Sequence, residues 1–411
     1  MSDAVAIFAE GTFEEQVREL VDYVSKPRVD EERTAFIRPF AEALATPEGE
    51  KPFGESVPRR RKVIELVLTE VKGLGEGSER EIEGFFNLLI AQFLDVIPVD
   101  AQDAPVKQIL TVVSSAPAPT DPSVKYRILA NLFNALPTTS PRRLVVAEAL
   151  IALAQSASDL EELDALQLSR PQVEKWFTEW DVSAEAKSVF LKTVADAFAK
   201  AGKEDIAYAY LLDRLRLIPA GAAQAESASL ETISAALRIP SVSDFDELAK
   251  IPALQSAKGH PLFALLKIFM FNGIQEYLAW AAANAAVLEQ HSLPNSVLEH
   301  KIRLLTLATL ASQNVGRDLP YSQIASGIQI DEAKVESWVI DVIRAGLVSG
   351  KLSQPTKTLR VTRSTTRSFE RSEWEALERR LATWKAGLAG VLEVVAAARG
   401  GSASQIVSAS A

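Results

Sequence analysis

The sequence predicts a mainly all-α protein, in which a helical-repeat solenoid is followed by a small module with a short β-hairpin and then by one long C-terminal helix. Three observations support this prediction. Pro-, Gly- and Ser-rich clusters divide most of the chain into segments with helical periodicity. Strand-like alternation is first apparent after Gly346. Beyond Ser372, apolar residues recur at alternating steps of three and four positions.

Residues 1–204 are predicted to form an array of helical repeats with an irregular period. Apolar residues three and four positions apart predict helices over Phe13–Val24, Arg33–Leu44 and Arg61–Val71. A wider apolar stripe, suited to burial on two sides, follows at Ile82, Phe85, Phe86, Leu89, Ile90 and Phe93. Loops are expected at Thr46–Pro58, Pro98–Pro105, Ala116–Pro122 and Pro137–Pro141.

A helical hairpin is predicted where this array meets a second helical region, residues 205–294. Its first helix begins at Val182–Glu185 and ends before Gly202, and its second helix spans Lys203–Leu217. We expect three residues of the second helix to point inward: Ile206, Tyr210 and Leu217.

Residues 295–369 have the element order of a winged-helix domain, which is three helices followed by a hairpin. The helices are predicted over Lys301–Gln313, over Tyr321–Ile328, and from a capping Asp331 to a C′ glycine, Gly346. The third helix carries one apolar stripe, at Val335, Trp338, Val339, Val342 and Ile343. The hairpin strands are predicted at Leu347–Leu352 and Leu359–Thr365.

The terminal helix is predicted over residues 370–398, with Ser372 as its N-cap and Glu375 as the capping-box partner. Its apolar residues form a narrow seam at Trp374, Leu377, Leu381, Trp384, Leu388, Val391 and Val395. A seam this narrow is typical of helices that bundle with other helices, so we expect it to bind partner chains. The Ser- and Ala-rich tail, residues 399–411, is predicted to be disordered.

No pattern in the sequence favours catalysis, a cofactor or a metal ion. The chain has no cysteine, which excludes disulfides, cysteine nucleophiles and thiolate metal sites. His260, His291 and His300 have no acidic or histidine cluster at ligand spacing around them. The glycines of Gly73–Gly77 follow a helix and precede no Gly-Lys-Ser/Thr element, so we interpret them as a helix-ending loop. We therefore predict a protein that is not an enzyme.

Charge is unevenly distributed along the chain. The net charge of −10 is not typical of a nucleic-acid-binding protein. The hairpin region is the exception, because the interval from Lys351 to Arg371 contains six basic residues and a single acid, Glu370. Five of these residues are our candidate partner-binding residues: Lys351, Lys357, Arg360, Arg363 and Arg367. Such a wing suits either an acidic partner subunit or RNA phosphates.

Two further charge patterns bear on nucleic-acid binding. The third helix of the winged-helix domain carries four acids, Asp331, Glu332, Glu336 and Asp341, against Lys334 and Arg344. A helix that reads DNA needs donors, so this pattern indicates a protein-interaction module. The basic run Arg59–Lys62 fits either an RNA contact or a solvated helix start.

The order of helical repeats, winged helix and terminal helix resembles the PCI-domain scaffold family. The most specific similarity lies in Lys301–Thr306, Val339–Arg344 and Ser364–Phe369. It continues through the terminal helix with Trp374 and Trp384. The resemblance covers about residues 205–395, while residues 1–204 are similar in character only. Residues 45–58 and the tail after residue 400 depart from the family pattern.

The resemblance implies a function in assembly. Within the family it favours the subunits of eukaryotic translation initiation factor 3 over those of the COP9 signalosome, which is the alternative. It implies a non-catalytic scaffold that joins other PCI and MPN subunits and supports mRNA recruitment to the small ribosomal subunit through the complex. A direct RNA contact by the basic wing is a further alternative. A cytoplasmic location is expected, because no basic and apolar leader follows Met1.

Overall fold

The chain folds mainly into α-helices with one small β-sheet, which confirms the fold class predicted from the sequence. The structure is a computed structural model that divides into two units, Met1–Ile218 and Pro219–Ala411. It describes residues 11–45, 53, 56–116, 123–157, 166, 168–367 and 371–408.

The described part of the first unit consists of α-helices, with a 3₁₀ turn at Val99–Ala101. Its α-helices are α1 (Phe13–Ser25), α2 (Asp30–Leu44), α3 (Val57–Glu70), α4 (Glu79–Val96), α5 (Asp103–Ser115), α6 (Ser123–Ala135), α7 (Arg142–Ala157), α8 (Arg170–Glu179), α9 (Ala184–Lys200) and α10 (Glu204–Leu217).

The helices predicted in this unit are confirmed, but two of the expected loops are too long. Pro58 lies in the first turn of α3 and Pro105 in the first turn of α5. Proline is tolerated there because the N–H that it lacks would have no acceptor within the helix. Most of the expected loops at 46–58 and 116–122 lies outside the described residues.

A cluster of aromatic rings holds the first unit together. Trp176 and Trp180 stack at 5.2 Å between ring centroids, and Phe133 packs against both of them.

Near the N-terminus, the Tyr23 hydroxyl donates to the backbone carbonyl of Leu74 at 2.7 Å. A Cβ at Gly75, where φ is +80°, would lie 2.6 Å from the Tyr23 ring. The segment Gly73–Gly77 therefore follows α3 and passes close to the Tyr23 ring at Gly75. This agrees with its interpretation as a helix-ending loop.

The helical hairpin formed by α9 and α10 places the boundary between the units after Ile218, not after residue 204. Phe198 of α9 stacks on Tyr210 of α10 at 5.8 Å, so a boundary at 204 would separate two helices that pack together. Tyr210 is buried, as expected, but Ile206 is 40% exposed and Leu217 only half-buried. The inward face of α10 instead carries Ala207, Tyr208, Tyr210, Leu211, Leu212 and Leu215.

The second unit continues with helices and ends in the winged-helix domain and the terminal helix. Its elements are α11 (Ala225–Arg238), α12 (Asp246–Ala249), α13 (Pro261–Phe271), α14 (Ile274–Ala283), α15 (Ala285–Gln290), α16 (Asn295–Gln313), β1 (Asp318–Pro320), α17 (Tyr321–Ile328), α18 (Val335–Arg344), β2 (Val348–Ser353), β3 (Thr358–Ser364) and α19 (Arg371–Ser408), with 3₁₀ turns at Pro252–Ala257 and Glu332–Lys334.

The sheet has three antiparallel strands in the order β1-β3-β2, where the sequence predicts only the β2–β3 hairpin. Leu319 of β1 lies opposite Leu359 of β3, and both side chains are fully buried beside Val361. The strand β1 is three residues long and ends at a proline, so it shows no alternation that a sequence pattern can reveal. Its pairing depends on a partner about forty residues away along the chain.

The third helix of the winged-helix domain starts later than expected. A 3₁₀ turn precedes α18, and the Asp331 side chain forms no capping hydrogen bond with any described residue, so its predicted role as a cap is wrong. Gly346 follows the helix with φ of +72°, which confirms the predicted C′ glycine.

The terminal helix is longer than the predicted 370–398. It begins at Arg371, so Ser372 lies within the helix and is not its N-cap. The backbone stays helical to Ser408, which contradicts the disordered tail predicted from residue 399. Alanine has the highest helix propensity, and the run Ala396–Ala398 carries the helix toward Gly400 and Gly401, which cost about 1 kcal/mol each.

A buried lysine joins α16 to the end of α11. Lys301 is 4% exposed, and its Nζ donates to the carbonyl oxygens of Ala236 at 2.6 Å and Ile239 at 2.7 Å. These carbonyls belong to the C-terminal end of α11, where backbone acceptors lack partners within the helix. Burial lowers the pKa of the Lys301 ammonium to about 7.

This shift predicts that stability depends on pH. An unfolded lysine has a pKa of about 10.4, so between about pH 7 and 10 the unfolded chain binds more protons than the folded chain. The free energy of unfolding should therefore rise with pH in this window, by at most about 1.4 kcal/mol per pH unit. We expect the difference in melting temperature between the wild-type chain and the Lys301→Met variant to grow in favour of the wild type from pH 7 to 9. Parallel pH profiles for the two proteins would contradict this expectation.

Candidate interaction surfaces

The outer face of the wing carries unpaired positive charge. Lys351 of β2 lies directly opposite Arg360 of β3, and on its other side Arg360 lies opposite Asp318 of β1. All three residues are exposed. Among the described residues, neither Lys351 nor Arg360 forms an ion pair. Two like charges thus lie side by side, although like charges directly opposite each other destabilise a sheet.

The other wing residues differ in their surroundings. Arg363 is exposed opposite Ser349, whereas Lys357 is in the turn, where its Nζ forms an ion pair with Glu332 at 3.0 Å. Arg317 adds a basic side chain that the sequence analysis missed. It is exposed just before β1, where its backbone carbonyl accepts from the Val361 amide. It lies outside the basic interval of the sequence, and only the pairing of β1 with β3 brings it to the wing.

Arg367 is wrongly included among the partner-binding residues. It is 9% exposed, and its guanidinium donates to the backbone carbonyls of Leu305 at 2.9 Å and Asn272 at 2.6 Å. A side chain that is buried and engaged in this way is not available to a partner. The sequence pattern cannot distinguish Arg367 from the exposed basic residues of the wing. The residue type is the same whether the side chain is solvated or donates to carbonyls at a buried helix end.

The acidic residues of the third helix help to hold the wing. Glu336 of α18 accepts a hydrogen bond from Gln354 Nε2 at 2.8 Å, which ties the hairpin turn to the helix. The same carboxylate lies near the Tyr321 hydroxyl, whose pKa is raised by burial and by this charge. Together with the Glu332–Lys357 ion pair, this contact gives the acidic residues a structural role beside the basic wing.

The predicted seam of α19 is exposed to solvent along its whole length. The exposure of its seven residues ranges from 37% at Leu377 to 67% at Trp384. The helix contacts the rest of the second unit near its start, where Arg380 Nη2 donates to the Ser312 carbonyl at 2.9 Å. An exposed row of large apolar side chains is typical of a protein-binding surface.

The seam widens in its last heptad. Leu392 and Val394, which the sequence analysis missed, flank Val391 and Val395 and are 67% and 69% exposed. In a heptad with Trp374 at position a, they occupy positions e and g, whereas the preceding e and g positions hold Glu378, Arg380, Lys385 and Gly387. The apolar face therefore changes from a narrow seam to about half of the helix circumference, which suits contact with more than one partner helix.

The basic run at the start of α3 is engaged within the first unit. Arg59 donates to the Ala45 carbonyl at 2.7 Å, Arg60 forms an ion pair with Asp95, and Arg61 pairs with Glu65 at 2.7 Å. These contacts favour the structural interpretation of the run over an RNA contact.

The histidines have structural surroundings. His260 caps α13 by accepting from the Leu262 amide at 3.2 Å, and its ring packs on His291 at 5.5 Å. His300 packs on Trp338. Within the part of the chain that the structure describes, no group of three or more metal-ligating side chains is found.

Comparisons with known proteins match most of the chain. Residues 282–363 match the PCI domain family, and residues 367–395 match the family described as eIF3 subunit M, C-terminal helix. The protein named eukaryotic translation initiation factor 3 subunit M from Phaeosphaeria nodorum is 30% identical over 401 residues, or 95% of this chain and 88% of the relative. The protein of that name from Aspergillus terreus is 31% identical over 407 residues, or 96% and 88%. The chain belongs to the family of eukaryotic translation initiation factor 3 subunit M.

The two regions that match family models correspond to the two surfaces. The PCI region runs from α14 through most of β3 and so includes the basic wing, and the C-terminal-helix region includes the whole seam. The resemblance to PCI-domain scaffolds is thereby confirmed. Among the described residues, no helix is both long and apolar enough to cross a membrane.

The like charges on the wing predict an unusual stability change. Lys351→Glu places a carboxylate opposite Arg360, replacing a repulsive cross-strand pair by an attractive one. We expect the free energy of unfolding to rise by about 0.2–1 kcal/mol, measured by thermal or urea denaturation. Lys258→Glu makes the same charge change at an exposed position away from the wing and should have no such effect. A loss of stability in Lys351→Glu would contradict the described pairing.

Proposed function

We propose that this chain is a non-catalytic scaffold subunit of eukaryotic translation initiation factor 3 that acts in the cytoplasm. It assembles with other PCI and MPN subunits and supports mRNA recruitment to the small ribosomal subunit through the complex. The observation that carries the proposal is the exposed seam of α19, which lies in the segment that matches the subunit M C-terminal helix. The relatives reported above carry the initiation-factor name, which favours this complex over the COP9 signalosome.

The seam supplies the hydrophobic part of assembly. The helix has 38 residues, so at 1.5 Å per residue it is about 57 Å long and provides a long surface for partner helices. Its large side chains would be desolvated by those partners, and buried aromatic and aliphatic anchors carry most of the affinity in such interfaces. In this proposal, Trp374, Leu377 and the remaining seam residues bind partner subunits directly.

The wing supplies the electrostatic part of assembly. Lys351, Arg360, Arg363 and Arg317 are exposed and lie around the β-sheet, so an acidic surface of a neighbouring subunit would complement them. Lys357 contributes less, because Glu332 already neutralises its charge. An acidic partner would relieve the repulsion between Lys351 and Arg360. Its binding free energy would therefore be more favourable than for a wing whose charges are already neutralised.

Truncating the seam tests the hydrophobic contribution. Leu388→Ala with Val391→Ala removes two large side chains from the proposed interface and should weaken association by about 2–5 kcal/mol. The melting temperature of the isolated chain should stay close to that of the wild type, because both residues are exposed. The measurement is the amount of tagged chain recovered with initiation-factor subunits from cell extract.

The matched control is Thr383→Ala with Glu393→Ala, on the faces of α19 away from the seam. This variant should enter the complex normally. Normal assembly of the seam variant would mean that the seam carries no assembly function.

Charge reversal tests the wing. Arg360→Glu with Arg363→Glu should weaken binding to a neighbouring subunit in a pull-down and leave the melting temperature nearly unchanged, because both side chains are exposed. Lys351→Glu should also weaken binding even though we expect it to stabilise the fold, so reduced binding cannot be attributed to unfolding. The alternative RNA function predicts a different result: partner binding would persist, and salt-dependent RNA affinity of the chain would be lost.

A further inference from the structure

Ser364 and Arg367, which precede α19, and Arg380 within it contact one face of α16. Three donors meet three carbonyls of that helix: Ser364 Oγ reaches Ala308 at 2.8 Å, Arg367 Nε reaches Leu305 at 2.9 Å, and Arg380 Nη2 reaches Ser312 at 2.9 Å. Positions 305, 308 and 312 are three and four residues apart, so the acceptors form one stripe. The contacts therefore lie both before and within the terminal helix.

Arg367 also reaches a second helix. Its Nη1 donates to the carbonyls of Asn272 at 2.6 Å and Phe269 at 3.4 Å, at the C-terminal end of α13. A cation is favourable at the negative end of a helix dipole, where carbonyls lack partners within the helix. Burial lowers the pKa of the guanidinium to about 10, so it stays charged at neutral pH. One planar side chain thus joins α13, α16 and the chain just ahead of α19.

We propose that Arg367 is a positioning residue that, together with Arg380, fixes the direction in which α19 leaves the winged-helix domain. This proposal rests on the assembly function of the seam. The partner is a helix or helix pair of another subunit that packs on the seam, and Arg367 acts on it without touching it. Because α19 is about 57 Å long, a rotation of about 10° at its base would displace its tip by about 10 Å. A fixed direction reduces the entropy that partner binding must overcome.

Distance measurement on the isolated chain tests the positioning role. The sequence has no cysteine, so cysteines introduced at the exposed positions Gln313 and Glu393 are unique sites for spin labels. Pulsed electron paramagnetic resonance should give one narrow distance distribution in the otherwise wild-type chain. We expect a broad distribution in Arg367→Met with Arg380→Ala. Arg344→Met removes an exposed arginine of α18 and should keep the distribution narrow.

Stability and assembly measurements separate the outcomes. Arg380→Ala alone changes an exposed residue, so it should fold even if the buried Arg367→Met variant does not, and it should also broaden the distribution. A narrow distribution in folded Arg380→Ala and in folded Arg367→Met would overturn the proposal.

The same variants are then compared in the co-purification with initiation-factor subunits, where Arg367→Met should be recovered less than Arg344→Met. If the wild-type chain itself is not recovered, the assembly function fails, but the distance measurement still decides the positioning role. If Arg367→Met broadens the distribution and is recovered as well as Arg344→Met, the link between direction and assembly is overturned.

Discussion

The second unit depends on satisfying the carbonyl groups of helices that end inside the protein. A buried carbonyl group costs free energy when no hydrogen-bond donor reaches it. Two buried basic side chains meet this need. Lys301 reaches from α16 to the end of α11, and Arg367 reaches from the wing to the end of α13. The helix α16 takes part in both contacts, because it carries Lys301 and because Arg367 also donates to its Leu305 carbonyl.

The two proposed surfaces have different physical characters. The wing presents charge on a short, paired sheet, which favours orientation and rapid encounter with an oppositely charged partner. The terminal helix presents a long apolar row, which favours stable association once the partner is in place. Glu336 of α18 and Glu332 of the preceding 3₁₀ turn hold the wing turn, so these two acids have a structural role within the domain.

The sequence predicts those features that depend on residues close together in the chain. Local periodicity predicts the helices α16, α17 and α18 and the seam of α19. The left-handed backbone conformation after α18 predicts the C′ glycine, Gly346. The features that the sequence analysis missed depend on residues far apart. The strand β1 exists only because Leu319 meets Leu359, and Arg367 is structural only because α13 ends beside it. Ile206 fits the apolar period of α10 but lies at its edge, where neighbouring helices do not cover it.

In the proposed assembly, the exposed face of α19 makes the stability of a single chain in the cell depend on the supply of its partners. A chain made in excess would keep a wide apolar surface in water, and such surfaces self-associate or attract chaperones and proteases. In the proposed assembly, partner binding would remove this surface and, by mass action, favour the folded and assembled form. Under this proposal, the concentration of folded subunit would depend on the supply of the scarcest partner.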